Sequence, residues 1–241
     1  VRDRVEYQVL PLIERSVSFA VPSIEFDGTL RGLPYIGYRM LPGRALRASD
    51  VPSPVTTSDL ANLVFELHSV PVDDVAGVLG ESREPSQWKA RYRRLEDGAK
   101  SRLSEVLPSH LRSGVAEGFE RFFSAGFAFD PVLVHGDLGA SHILVEESGG
   151  LVGLLDFEAV AIGDPAVDFV GVQITLGSDT CAQVLEAYPG PVDEGFGERV
   201  LGYWWIGSLQ AIPHGLDEGD GAIVQSGIAG LHERLARLFD R

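Results

Sequence analysis

Two aspartates separated by one predicted β-hairpin constrain this chain more than any other feature. Both lie in the block Val132–Val172, where a short apolar run precedes Asp137 and a second apolar run, Leu151–Leu155, precedes Asp156. Short apolar runs bounded by glycine-rich turns predict buried strands. Each carboxylate is therefore expected where a buried strand ends in a loop, and the hairpin between them holds the two at a defined separation.

A pair of rigidly placed carboxylates suits phosphoryl transfer. That reaction requires one carboxylate to orient the attacking hydroxyl and accept its proton, together with ligands that hold a metal ion on the phosphates. Magnesium takes oxygen ligands and keeps several waters, so one aspartate and one further side chain suffice as protein ligands. His142, five residues after Asp137, is the candidate for that second side chain. The pattern predicts a magnesium-dependent phosphotransferase.

The same residues resemble the aminoglycoside phosphotransferase family, the small-molecule relatives of the protein kinases. The family pattern is H-x-D-x-x-x-x-N, a hairpin, D-[FW] and then G-D-P-x-x-D, and its specificity comes from the combined match. The matching positions in this chain are His135, Asp137, His142, Asp156, Phe157, Gly163, Asp164, Pro165 and Asp168. His142 replaces the usual asparagine, as in some members similar to the 2″-aminoglycoside kinases and the macrolide kinases.

The resemblance implies a role for each matched residue. Asp137 and His135 would be the catalytic pair, with His135 tying the loop together by hydrogen bonds rather than transferring a proton. Asp156 would be the main Mg²⁺ ligand and His142 the second, although imidazole is a softer partner for magnesium than an amide oxygen. A loop histidine satisfied by backbone groups is the alternative for His142. Asp168 would brace the catalytic loop from below.

The N-terminal residues resemble the last part of a kinase small lobe. A helix is predicted over Arg2–Ser16, and two strands are predicted near Ser23–Phe26 and Leu33–Met40, with a turn at Asp27–Gly28. By the resemblance, Glu6 matches the helix glutamate that pairs with the phosphate-binding lysine. Backbone groups of the hinge residues Arg39, Met40 and Leu41 would face the purine of ATP or GTP.

That lysine and the glycine-rich strand pair of the family have no counterpart in this sequence. The family places both upstream of the Glu6 helix, where only five residues stand, and the two lysines, Lys89 and Lys100, lie far downstream. A fragment of a longer protein, or a late start, is the expectation, and a natural protein without the nucleotide cover is the alternative. Loss of that cover would remove phosphate stabilisation, so a catalytically silent binding module is a second functional hypothesis.

The rest of the chain is predicted to be mostly helical. Helices are predicted after an N-cap at Thr57–Asp59 and over Ser86–Leu107, Pro108–Ala125, Ala166–Leu176, Val192–Ile212 and Gly221–Phe239. The predicted fold is therefore α+β and protein-kinase-like. Residues 1–42 would form a truncated N-terminal lobe, and residues 43–241 a mostly helical C-terminal lobe with the catalytic and substrate-binding parts.

The substrate site is less constrained by the sequence. Glu158 is the best-placed acid because its loop, two residues past Asp156, must border the cleft. Three adjacent aromatic residues on one helix cannot all face inward, which makes Trp204 and Trp205 candidates for an aromatic wall. Further acids could accompany Glu158 or be ordinary surface residues: Asp193, Glu194, Asp217, Glu218 and Asp220.

Charge and composition narrow the class of ligand and the location. The formal net charge of −15 disfavours nucleic acid and is compatible with a cationic small molecule, or with solubility alone. The sequence has no apolar run of about eighteen residues, so no membrane span is expected. With Cys181 as the only cysteine, the chain cannot form an internal disulfide, and a cytoplasmic location is predicted.

These observations predict an ATP- or GTP-dependent O-phosphotransferase that acts on an aminoglycoside-like antibiotic. Macrolide 2′-phosphorylation is the rival enzyme hypothesis, because the histidine at position 142 also occurs in macrolide kinases. The oligomeric state is left open.

Overall fold

The computed structural model describes residues 4–52, 55–80 and 84–239. The chain divides into two compact units, one made of residues 1–83 and 130–191 and the other of residues 84–129 and 192–241. This division follows compactness, and the predicted lobe boundary at residue 42 stays a prediction. None of the helices within the described ranges is both long and apolar enough to span a bilayer.

Helices account for most of the regular structure. They are Val5–Val9 continued by Leu10–Glu14 (α1), Thr57–His68 (α2), Val72–Leu79 (α3), Pro85–Leu103 (α4), Ser109–Ser124 (α5), Asp168–Leu176 (α6), Ser178–Ala187 (α7), Phe196–Gly207 (α8), Ala211–Glu218 (α9) and Gly221–Phe239 (α10). Helix α10 coincides with its prediction. Helix α1 is shorter than predicted at its C-terminal end, and the predicted start at Arg2 lies outside the described residues. Helices α3, α7 and, beyond its first two residues, α9 were not predicted.

The described residues of the first unit form three small antiparallel sheets. The strands are Ile24–Leu30 (β1), Leu33–Tyr38 (β2), Arg44–Ala45 (β3), Val132–Val134 (β4), Ile143–Val145 (β5), Leu151–Leu154 (β6) and Ala161–Gly163 (β7). Strand β1 pairs with β2, β5 lies between β3 and β6, and β4 pairs with β7. The predicted hairpin between the two aspartates is therefore β5–β6, and strands β4 and β6 end shortly before the two carboxylates.

The β1–β2 turn is not where the sequence predicted it. Asp27 and Gly28 lie inside β1, and the chain reverses at Arg31 and Gly32, which have φ values of 52° and 83°. A two-residue hairpin turn with positive φ at both positions matches the twist of the strands. Glycine at position 28 is explained by packing and not by a turn. The ring of Tyr35 on the neighbouring strand occupies the space that a side chain would need.

The N-cap of helix α2 lies one residue before the predicted range Thr57–Asp59. Thr56 is the N-cap, and its hydroxyl accepts a hydrogen bond from the Asp59 amide at 3.1 Å. The Asp59 carboxylate in turn accepts from the Thr56 amide at 2.8 Å, which completes a capping box. The apolar face of this helix, Leu60–Leu67, is buried, and it carries His68 at its C-terminal end into the core.

The second unit is built around an aromatic core. Trp88 of α4 donates its indole N–H to the Tyr203 hydroxyl at 2.8 Å. Trp205 packs edge-on against Phe119 with ring centroids 4.9 Å apart, and Gly118 leaves room for its ring. Because Trp205 is 0% exposed, its predicted place in a substrate wall is wrong. Burial of so large an apolar surface against other aromatic rings stabilises this core instead.

Candidate active site

The loop that carries Asp137 is held from behind by helix α6. The fully buried Asp168 carboxylate accepts hydrogen bonds from the His135 amide at 2.9 Å and the Gly136 amide at 2.8 Å. Two amide donors on one carboxylate fix the direction of the chain directly before Asp137. Asp168 therefore braces the loop that carries Asp137, as predicted.

Two further residues of α6 support the same loop and were missed by the sequence analysis. Gly171 approaches so closely that a Cβ atom there would lie 2.0 Å from the Leu138 carbonyl oxygen. The Thr175 hydroxyl accepts from the Ala140 amide at 3.1 Å and donates to the Gly171 carbonyl at 2.6 Å. Positions 168, 171 and 175 lie three and four residues apart, which places them on one helix face. That spacing is the signal that could have identified them.

His135 ties two loops together inside the protein. Its side chain is buried, its Nε2 lies 2.8 Å from the Leu155 carbonyl oxygen, and the Asp137 amide donates to its Nδ1 at 3.3 Å. Burial lowers the pKa of His135, so the ring is held neutral with its proton on Nε2. His135 thus connects the segment before Asp156 to the Asp137 backbone. Its contribution to the site is to hold these two segments in place.

His142 lies between the two carboxylates. Its Nδ1 is 2.8 Å from the Asp137 carbonyl oxygen and 4.0 Å from Asp137 Oδ2, and its Nε2 is 3.8 Å from Asp156 Oδ2. A hydrogen bond to a carbonyl places the imidazole proton on Nδ1, which leaves the Nε2 lone pair directed towards Asp156. The Asp137 and Asp156 side chains are 69% and 52% exposed, so a ligand can reach both.

The backbone conformation at Asp156 helps to direct its carboxylate. Asp156 has φ 64° and ψ 65°, in the left-handed region that costs a non-glycine residue about 1–2 kcal/mol. Aspartate and asparagine tolerate this region better than most residues. The conformation turns the chain sharply between β6 and the turn Phe157–Ala159, so the carboxylate faces His142.

The pair Asp156 and His142 is compatible with a divalent cation. Two atoms bound to one ion through bonds of about 2.1 Å lie at most about 4.2 Å apart, and the observed separation of 3.8 Å satisfies this limit. Among the described residues, no cluster of three or more potential ligand side chains forms a metal site. A magnesium ion here would take its other ligands from phosphates and water, as magnesium in phosphotransferase sites commonly does.

A cavity of about 700 Å³ in the first unit adjoins this pair. Its lining brings together most of the residues predicted for the nucleotide and the metal, namely Glu6, Arg39, Met40, Leu41 and Asp156. Glu158, which was predicted for the substrate, lines it as well. Leu10, Leu144 and Leu155 supply apolar walls. A concave, largely apolar site with a few charged groups is typical of a small-molecule pocket.

The two arginines that line the cavity are both paired with carboxylates. Arg44 binds Asp50 through two hydrogen bonds of 2.7 and 2.9 Å, and Arg39 lies 2.8 Å from Glu25. The hydrogen bonds from Arg44, helped by the Arg47 amide, lower the pKa of Asp50 to about 2. The Arg44–Asp50 pair is therefore fully ionised at neutral pH, and it fixes the short strand β3 at the cavity edge.

Comparison with known proteins assigns the family. The model of the APH phosphotransferase enzyme family matches residues 4–198. This chain belongs to that family. A viomycin phosphotransferase from Streptomyces vinaceus is 26% identical over 224 residues, which cover 89% of this chain and 76% of the relative.

Solved structures of this phosphotransferase family share the fold. The GDP and kanamycin complex of APH(2″)-IIIa superposes with a TM-score of 0.85 at 26% identity, over 98% of this chain and 82% of that one. A macrolide 2′-phosphotransferase from Brachybacterium faecium superposes with a TM-score of 0.75 at 24% identity, over 95% and 79% of the two chains. The latter likeness concerns the fold alone. The predicted α+β, kinase-like fold is confirmed.

Glu6 of this family member has an unmet hydrogen-bonding requirement. Its Oε2 is buried and, among the described residues, has no hydrogen-bond partner. A buried carboxylate oxygen without a donor costs about 1–3 kcal/mol or more. The residue lines the cavity, so a donor or cation brought there would relieve this cost.

The predicted substrate residues fall into different environments. Glu158 lines the cavity in the turn Phe157–Ala159, and Trp204 is half-buried with Arg234 over its ring at 5.2 Å. Three of the accompanying acids have structural roles. Asp193 binds the buried Arg199 at 2.6 Å, Asp217 lies 2.5 Å from Arg102, and Asp220 caps the start of α10 by accepting from the Ala222 amide.

Proposed function

We propose that this chain transfers the γ-phosphoryl group of ATP or GTP to a hydroxyl group of an aminoglycoside-like antibiotic. The observation that carries the proposal is the placement of His142 between the Asp137 and Asp156 carboxylates, next to the cavity. Membership of the phosphotransferase family and the likeness to an enzyme solved with GDP and kanamycin support it. A cytoplasmic location, where both nucleotides are available, is part of the proposal.

Asp137 is the group that would act on the acceptor. Its exposed carboxylate would orient the acceptor hydroxyl and take its proton late in the reaction. The acceptor oxygen forms a bond to the γ-phosphorus while the bond from that phosphorus to the β,γ-bridging oxygen breaks, and the nucleoside diphosphate leaves. The neutral, buried His135 holds Asp137 in place through its hydrogen bond to the Asp137 amide.

Asp156 and His142 would hold the magnesium ion, which neutralises negative charge on the phosphates when bound. The charges of the cavity favour this arrangement. Three carboxylates line it, Glu6, Asp156 and Glu158, whereas its arginines are engaged with other carboxylates. A bare triphosphate would be repelled there, so a divalent cation on the phosphates is required for binding.

The hinge residues Arg39, Met40 and Leu41 would receive the base of the nucleotide through their backbone groups. They are suited to this because they follow β2 and line the cavity, while the Met40 side chain points into solvent and is 92% exposed. Glu158, which also lines the cavity, would bind an amine of the antibiotic. The acidic net charge of −15 favours such a cation over a macrolide, which has one amine and a large apolar body.

The test is a nucleoside diphosphate release assay with ATP or GTP, using kanamycin, viomycin and erythromycin as acceptors. The expected result is kanamycin-dependent release that needs Mg²⁺ and falls by about 10²- to 10⁴-fold in Asp137→Asn, while nucleotide binding measured by calorimetry is retained. Release with erythromycin alone would favour macrolide phosphorylation. Kanamycin binding without turnover would favour the silent binding module, and undiminished turnover in Asp137→Asn would refute the role of that residue.

A further inference from the structure

A chain of buried hydrogen bonds reaches the catalytic loop from behind Asp168. His68, the last residue of α2, has its Nε2 2.9 Å from Asp168 Oδ2 and its Nδ1 2.7 Å from the hydroxyl of Tyr188. The side chains of His68 and Asp168 are 2% and 0% exposed, and Tyr188 is buried as well. These contacts are shielded from water. In the protein interior a hydrogen bond is electrostatically stronger than in water, and a broken one is costly.

The positions of the protons follow from the partners. As a carboxylate, Asp168 only accepts, so His68 must donate to it through an Nε2–H. Burial, with the charge of Asp168, raises the pKa of the Tyr188 phenol, which therefore keeps its proton. With the His68 proton on Nε2, Nδ1 is an acceptor for the Tyr188 hydroxyl 2.7 Å away. Donation thus runs in one direction, from Tyr188 to His68 and from His68 to Asp168.

Asp168 accepts three hydrogen bonds, and the one from His68 falls on the oxygen that also accepts from the His135 amide. Asp168 Oδ2 accepts from the His135 amide at 2.9 Å and also from His68 Nε2 at 2.9 Å. Asp168 Oδ1 accepts from the Gly136 amide. The His68 donor approaches from α2 and the amides from the loop, so His68 adds a third restraint, from a different element, on the orientation of the carboxylate.

We propose that His68 and Tyr188 are positioning residues of the active site. They hold the Asp168 carboxylate in the orientation that receives the His135 and Gly136 amides, and by this they set the position of Asp137. This inference rests on the proposed catalytic role of Asp137. A histidine that only filled space would not need oriented partners on both ring nitrogens, and here both partners are buried.

Three variants separate this role from packing. His68→Leu removes both hydrogen bonds, His68→Gln keeps a side-chain N–H that can reach Asp168, and Tyr188→Phe removes only the hydroxyl. The first readout is hydrogen exchange of the His135 and Gly136 amides by NMR. The Ala140 amide is the internal control, because it is held by Thr175 and not by Asp168.

His68→Leu is expected to exchange the His135 and Gly136 amides about tenfold faster, with the Ala140 amide changed less than about twofold. His68→Gln should stay close to the unmodified protein, and Tyr188→Phe should give a smaller acceleration of the same two amides. Unchanged rates, equal acceleration of Ala140, or a glutamine variant no better than the leucine variant would each overturn the proposal.

The second readout is turnover of kanamycin with GTP. His68→Leu should lower kcat by about 10- to 100-fold, since small misplacements of a reacting group cost this much, while the KM for GTP changes less than about threefold. A raised KM with unchanged kcat would contradict the positioning role. If the unmodified chain phosphorylates none of the antibiotics, the proposed function is rejected, and the exchange rates still decide whether His68 and Tyr188 position the loop.

Discussion

At the scale of single residues, His142 has the most informative geometry in the site. One ring nitrogen donates to the Asp137 backbone and the other faces the Asp156 carboxylate. The alternative reading, a loop histidine satisfied by backbone groups, accounts for Nδ1 and leaves Nε2 unexplained. The two hypotheses for this residue are therefore complementary, because the backbone contact is what directs Nε2 towards Asp156.

Substitution of His142 tests its proposed role as a metal ligand. His142→Asn offers an amide oxygen, a harder ligand for magnesium, and an amide N–H for the Asp137 carbonyl. We expect it to retain turnover within about tenfold, whereas His142→Leu should lose about 100-fold and require more Mg²⁺. The measurement is turnover as a function of Mg²⁺ concentration. A leucine variant with an unchanged Mg²⁺ requirement would rule out His142 as a ligand.

At the scale of elements, helix α6 determines the shape of the loop that carries Asp137. One face of the helix presents a carboxylate, a bare backbone and a hydroxyl to successive loop residues, through Asp168, Gly171 and Thr175. Helical periodicity makes this alignment possible, since residues three and four apart lie one above the other. The sequence motif includes only the first of the three, because glycine and threonine have no distinguishing chemistry until their neighbour is known.

Gly171→Ala tests this contact between helix and loop. A Cβ atom 2.0 Å from the Leu138 carbonyl must displace the loop, and overpacking of this kind costs about 1–3 kcal/mol of unfolding free energy. Turnover should fall as well, because Asp137 would move. The matched control is Gly98→Ala in the exposed face of α4, where an added Cβ atom would meet nothing within 4 Å beyond its own helix backbone.

The control variant should be stabilised by up to about 1 kcal/mol, as expected for glycine replaced by alanine within a helix, and should keep full activity. Denaturant unfolding and the diphosphate release assay check both variants. Equal stability and turnover in Gly171→Ala and the unmodified protein would mean that the loop adapts to the new methyl group.

At the scale of the whole molecule, the net charge of −15 acts on any charged acceptor. Attraction between an acidic protein and a polycation is long-ranged and is screened by salt. A macrolide with a single amine would gain much less from this field. The dependence of binding on salt can therefore discriminate the proposed substrate class from its rival.

We expect the KM for kanamycin to rise at least about threefold when ionic strength increases from about 0.05 to 0.5 M. Any KM for erythromycin should change little over the same range. Steady-state kinetics at fixed saturating nucleotide and Mg²⁺ provide the measurement. A KM for kanamycin that is insensitive to salt would show that the acidity of the chain serves solubility and does not attract the acceptor.

Much of the fold was predictable from local patterns, and the errors have physical causes. The β5–β6 hairpin and helix α10 follow from apolar periodicity. The misplaced turn at Asp27–Gly28 arose because this dipeptide is a strong hairpin signal, yet Gly28 is needed to accommodate Tyr35 across the strand pair. Trp205 looked available for a ligand because helix periodicity alone does not show which neighbours cover a face.

The sequence alone determined the α+β, kinase-like fold and brought Asp137, His142 and Asp156 together as candidates, because they lie within twenty residues of one another around a single hairpin. Tertiary structure decided what holds them. His68 is 100 residues from Asp168 and 120 residues from Tyr188 in the chain. Local backbone geometry limits which residues within a short segment can meet, whereas contacts between distant segments depend on how helices pack, and no short pattern encodes that packing.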